Sequence, residues 1–66
     1  MNYKLKIELI KLQMIQKGYS ISRLSKESQI SKSTISRLLN QMGSNRPETI
    51  YKIAQALDLE VKDLLL

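Results

Sequence analysis

The sequence predicts an all-α fold, five short helices gathered in a single domain. Apolar residues recur at spacings of three and four along most of the chain, and no segment shows the two-residue alternation of a strand. Ser, Gly and Pro also fall where such helices would start and stop. With 66 residues the chain has room for one small core, which buries roughly 60% of the surface its unfolded form exposes.

Residues 2–17 are expected to form the first helix. Tyr3, Ile7, Ile10 and Met14 follow one another at spacings of four, three and four, and Leu5, Leu9 and Leu12 add a second stripe. The apolar arc is wide enough to touch more than one neighbour, with the lysines lying along its edges. Gly18 ends this helix, because glycine enters the left-handed conformation without a Cβ clash.

The stretch from Ser20 to Asn40 reads as two short amphipathic helices joined by a tight turn. The first spans Ile21 to Ser28, with Ser20 as its N-cap. Gln29 and Ile30 make the turn, where Gln29 is predicted at positive φ at a cost of roughly 1 to 2 kcal/mol. Ser31 caps the next helix, whose Ile35 and Leu38 face inward together with Leu24 and Ile30. Small Ser25 lets the two helices approach closely. The opposite face of the second of these helices carries Lys32, Ser33, Ser36 and Arg37, small, polar and basic groups that a DNA major groove accommodates.

Gln41 to Pro47 is a loop by its Gly, Ser, Asn and Pro content. Pro47 stands ahead of a helix from about Glu48 to Leu57, with Ile50, Ile53, Ala54 and Leu57 inward and Glu48 favourably placed in the first turn. A last short helix, about Val61 to Leu65, follows Asp58 and Leu59. There is no internal repeat and no low-complexity segment.

Composition narrows the function. The net charge of +5 is uneven: residues 1–47 hold nine of the eleven Lys and Arg against Glu8 and Glu27 alone. Residues 48–66 are mildly acidic, so a polyanion is expected on one side only. With no cysteine and no histidine there is no disulfide framework, no thiolate zinc site and no implied cofactor. No spaced carboxylate pair is available for acid-base work, which argues against an enzyme. The charged start, MNYKLKIELIKLQMIQK, is neither a signal peptide nor a membrane span, so a soluble, cytoplasmic and nucleoid-associated protein is expected, with no membrane partner.

The segments GYSISRLSKESQISKSTISRLLN and RPETIYKIAQALDLEVKDLL together resemble the Cro and phage-repressor type of helix-turn-helix domain, over about residues 5 to 66. The resemblance rests on Gly18, Leu24, Ile30, Ser31, Ser33 to Ile35, Pro47, Ile53, Ala54, Leu57 and Leu64 in combination. It implies a compact, lambda-repressor-like five-helix fold whose second and third helices form the DNA-binding unit, the third lying in the major groove. This chain departs from the pattern at Ile21, where the family commonly has a phosphate-anchoring Gln, at Ser25 for the usual alanine, and at Gln29 for the usual glycine. Many members also pair an Arg late in the first helix with a Glu near the end of the third. The matching positions here are Met14 and Leu39, so both partners of that buried ion pair are replaced together, which is often neutral or stabilising.

On this reading Lys32, Ser33, Ser36 and Arg37 face base edges. Arg37 is suited to bidentate contact with guanine, and Lys32 to the same edge or a phosphate. Phosphate contacts are expected from Ser20 and the Ile21 amide on one side and from Ser44, Asn45 and Arg46 on the other. Thr34 is either a phosphate contact or a packing residue, and Asn40 either a phosphate contact or a helix cap. Arg23 and Lys26 are read as solvated. Leu59, Val61, Leu65 and Leu66 exceed what one short helix buries, pointing to a symmetric homodimer on a pseudo-palindromic operator; the alternative is a frayed terminus.

The function expected is a sequence-specific DNA-binding transcriptional regulator, a repressor of phage or bacterial type whose partner is double-stranded DNA. Three forms of it stand open: a complete small regulator, a fragment of a longer repressor, or an antitoxin that represses its own operon and has a toxin as partner. The start at Met1 and the end after the fifth helix weigh against the fragment. From another class, a protein-interaction module could use the same scaffold; the basic Lys32, Arg37 and Arg46 weigh against it.

Overall fold

The computed structural model describes residues 3–42 and 45–66. Five helices follow in order: α1 (Ile7–Lys17), α2 (Ile21–Ser28), α3 (Lys32–Leu39), α4 (Pro47–Ala56) and α5 (Val61–Leu64). No strand occurs among the described residues.

The first helix starts at Ile7, not at residue 2. Residues 3–6 run beside the C-terminus, with an antiparallel bridge between Leu5 and Leu65. The Lys6 amide donates to the Leu64 carbonyl at 2.7 Å, and the Leu66 amide to the Lys4 carbonyl at 3.0 Å. Tyr3 and Ile7 mimic a helical spacing, but pairing with the far end of the chain satisfies this backbone instead. Leu5 is buried all the same, and Leu9 is half-buried, whereas Leu12 is 51% exposed and does not extend the inward stripe as expected.

Smaller corrections fall at the other helix ends. Pro47 is the first residue of α4, where its fixed φ suits a helix and its missing N–H is not needed. Leu57 lies just beyond that helix, and Leu65 is extended, outside α5.

Four helices end on a left-handed residue. Gly18 does so after α1, with φ 70°, and the Tyr19 amide donates back to the Met14 carbonyl at 2.8 Å. Gln29 closes α2 at φ 60°, as the turn predicts. Gln41 (φ 57°) and Asp58 (φ 58°) play the same part after α3 and α4. The Met42 and Leu59 amides then reach back to the Arg37 and Ala54 carbonyls at 2.8 and 2.9 Å, the six-to-one bonds of a Schellman ending.

The core draws on every helix. Ile10, Leu24, Ile35, Ile50, Ile53, Leu57 and Leu64 are fully buried, with Leu5, Ile7, Met14, Ile30, Leu38 and Ala54 completing it. Helix α4 packs against α2 and α5, α2 against α3, and α5 against α1. Met14 sits in this cluster and Leu39 packs partly buried against it, so the apolar pair that stands for an ion pair lies in apolar surroundings. No buried side-chain nitrogen or oxygen among the described residues lacks a hydrogen-bond partner.

Candidate nucleic-acid interface

Two serines set the entry of each helix in the α2–α3 unit. The Ser20 hydroxyl accepts from the Arg23 amide at 3.1 Å, and the Ser31 hydroxyl from the Thr34 amide at 3.2 Å. Each cap takes the third amide of its helix, so the first two, Ile21 and Ser22 in α2 and Lys32 and Ser33 in α3, have no acceptor among the described residues. Such free amides at a positive dipole end suit an anion. Ser31 also donates to Thr34 Oγ1 at 2.8 Å, which leaves the Thr34 hydroxyl proton without an acceptor among the described residues.

The turn between the helices is held from inside. Ser25 Oγ donates to the Ile30 carbonyl at 2.6 Å, and the Gln29 amide to the Ser25 carbonyl at 2.8 Å. Buried Ser28 returns its hydroxyl proton to the Leu24 carbonyl at 2.6 Å. With Leu24, Ile35 and Leu38 buried behind it, α3 can only present its other side outward. That side exposes Lys32, Ser33, Thr34 and Arg37, with Ser36 half-buried among them.

Charge pairing separates the cations into two sets. Lys17 meets Asp58 at 2.5 Å, Arg23 meets Glu27 at 2.9 Å, Lys52 meets Glu48 at 3.1 Å, and Lys62 meets Glu60 at 3.2 Å. Arg23 and Lys17 also stand over the Tyr19 ring, 5.1 and 5.4 Å from its centre. The Asp58 carboxylate, by hydrogen bond and charge, holds the Lys17 ammonium above its ordinary pKa. By contrast Lys4, Lys6, Lys11, Lys26, Lys32, Arg37 and Arg46 form no ion pair among the described residues, and of these Lys32, Arg37 and Arg46 lie on or after α3. One sequence signal for this was available: no Asp or Glu occurs between Glu27 and Glu48.

Arg37 and Arg46 line a common cleft of about 470 Å³ between α3 and the start of α4, with Thr34, Leu38, Met42, Asn45 and Thr49. Met42 and Thr49 were not anticipated as lining this cleft: Met42 follows α3 closely in the chain, and Thr49 comes from the first turn of α4. Asn40 uses its amide on the Ser36 carbonyl at 2.9 Å, in keeping with a helix cap. Asn45 donates to the Tyr3 carbonyl at 3.1 Å. Ser44, read as a phosphate contact, lies outside the described residues.

At the far end, Leu59, Val61 and Leu65 are half-buried and pack against the chain's own core, whereas Leu66 is 79% exposed. None of the helices is long and apolar enough to cross a membrane, among the residues described.

Two capped helices crossing through a tight turn, the second with a basic and acid-free outer face, define a helix-turn-helix DNA-binding domain. A family model, the Cro/C1-type HTH DNA-binding domain, matches residues 10–65, and the chain belongs to that family. It is therefore a DNA-binding regulator. Comparison with curated proteins and with solved structures found no match.

Proposed function

We propose that this protein is a sequence-specific transcriptional regulator, acting as a repressor, that docks α3 in the major groove of a pseudo-palindromic operator. The observation that carries this is the gathering of Lys32, Arg37 and Arg46, exposed and without an ion-pair partner among the described residues, on and beside α3 in a stretch that holds no Asp or Glu. A cation without a carboxylate partner is available to a polyanion and releases counterions when it binds one.

In this reading Arg37 makes a bidentate contact with guanine, Lys32 a base or phosphate contact, and short Ser33 and Ser36 let the helix sit deep. Ser20, the Ile21 amide, the Thr34 hydroxyl, Ser44 and Arg46 hold phosphates on either side, fixing orientation. Asn40 serves as a cap. Two copies joined near Leu66, with Leu59, Val61 and Leu65 behind it, place their α3 helices one DNA turn apart, ~34 Å. The work of such a protein lies in the cytoplasm, at the nucleoid.

Selection of bound sites from a random duplex pool tests this. An enriched palindrome with half-sites one turn apart is expected. A pool that stays random after selection would overturn sequence-specific recognition.

A further inference from the structure

Asn45 stands among the residues around the DNA-facing cleft, yet its side chain is turned to a different task. Its Nδ2 donates to the Tyr3 carbonyl, 42 residues away in sequence, in a half-buried position. Tyr3 begins the segment 3–6 that precedes α1, and that segment is tied down in turn. Lys6 donates to the Leu64 carbonyl, Lys4 accepts from the Leu66 amide, and Leu5 is buried in the core beside Leu65. The segment is therefore a strap, anchored by the end of the chain and clasped by the loop that precedes α4.

The next residue after Asn45 is Arg46, exposed and without an ion-pair partner among the described residues. Arg46 also lacks any side-chain role in capping α4. The Arg46 carbonyl accepts from the Ile50 amide at 3.0 Å, so its backbone is held on the helix side. A long cation whose loop is free on the other side still loses freedom when it binds, which weakens the contact. A neighbour fixed to the body of the fold removes part of that cost in advance.

We infer that Asn45 is a positioning residue: by clasping the strap at Tyr3 it presets Arg46 toward a DNA phosphate, and it does not itself contact DNA. The inference rests on the phosphate role proposed for Arg46. It also links the C-terminal residues 64–66 to the DNA-facing loop through residues 3–6.

A double-mutant cycle distinguishes this from a direct contact. A positioning residue acts only while Arg46 is there to be positioned, so its loss costs affinity in wild type and nothing in Arg46→Ala, whereas a direct contact costs the same in both. Loss of the cationic contact itself lowers the slope of log K against log salt by about 0.9. Wild type, Asn45→Ala, Arg46→Ala and the double variant are titrated with salt on one random-sequence duplex, with circular dichroism recording the fold of each. The expected result is a slope reduced by about 0.9 in Arg46→Ala, a weaker affinity in Asn45→Ala, and an affinity in the double variant equal to that of Arg46→Ala. An Asn45→Ala affinity equal to that of wild type overturns the inference, as does an additive loss in the double variant. An Asn45→Ala chain that fails to fold also overturns it, since a residue acting only on Arg46 leaves the core intact. If wild type binds no duplex at all, the proposed function falls first, a result distinct from any of these.

Discussion

The Ser25 hydroxyl donates to the Ile30 carbonyl at 2.6 Å, across a turn whose Gln29 stands at φ 60°. The two features offset one another. Gln29 carries a Cβ where glycine would be free of strain, and Ser25 adds a hydrogen bond that the alanine usual in the family could not make. Ser25→Ala should lower stability by about 1 kcal/mol, and Gln29→Gly should raise it by about 1 kcal/mol. Because the two residues share one turn, the difference between the double variant and the sum of the single changes in urea unfolding measures their coupling. A loss of stability in Gln29→Gly would contradict this account of the turn.

The end of α3 offers a cleaner case. Gln41 is exposed and left-handed at φ 57°, with the Met42 amide returning to the Arg37 carbonyl. Gln41→Gly keeps that ending and removes the strain, so the urea midpoint should rise by an amount equivalent to about 1 kcal/mol. The slope of the unfolding curve should not change, because the surface buried is the same.

Lys17 joins the end of α1 to Asp58 beyond α4, and the partner raises its pKa above the ordinary 10.5. A folded-state pKa above the unfolded one means stability that is fully present below the unfolded value. It is lost as pH rises through the folded value. The advantage of wild type over Lys17→Met in urea midpoint should therefore be constant from neutral pH to about pH 9.5, and shrink above about 10.5. An advantage that grows with pH would reverse the sign and contradict the pairing.

Much of this molecule was legible in its sequence, and the failures share a cause. Ser20, Ser31, Gln29 and the buried Leu24, Ile35 and Leu38 follow from local rules of capping, turn chemistry and helical period, and the structure bears them out. The strap at residues 3–6 was read as helix, because Tyr3 and Ile7 keep a four-residue spacing that local reading cannot tell from α1 itself. Its pairing with residues 64–66 is a contact between the two ends of the chain, with no local signature. Gln41 and Asp58 were missed as left-handed endings because no glycine marks them. At the interface, the exposed Lys32, Ser33 and Arg37 were legible from one helical face. The place of Thr49 at the cleft, and the clasp of Asn45 on Tyr3 42 residues away in sequence, depend on contacts between distant parts of the chain, which is tertiary information.

The terminal leucines carry the dimer proposal. Among Leu59, Val61, Leu65 and Leu66, only Leu66 is largely exposed, so Leu66→Asp changes a surface without opening the core. Sedimentation at micromolar concentration should give two copies for wild type and one for Leu66→Asp, with the same unfolding midpoint at low concentration. Monomers for both, together with a selected site that is not palindromic, would remove the dimer from the account.

Base recognition by α3 is the central claim, and comparing Arg37→Ala with Arg46→Ala tests it most directly. Affinities are measured for the selected duplex and for a random duplex at matched salt. Arg37→Ala should lose roughly 1 to 3 kcal/mol on the selected site and much less on random DNA, whereas Arg46→Ala should weaken both alike and reduce the salt slope by about one. Equal loss on the two duplexes for Arg37→Ala would contradict the claim that Arg37 reads a base.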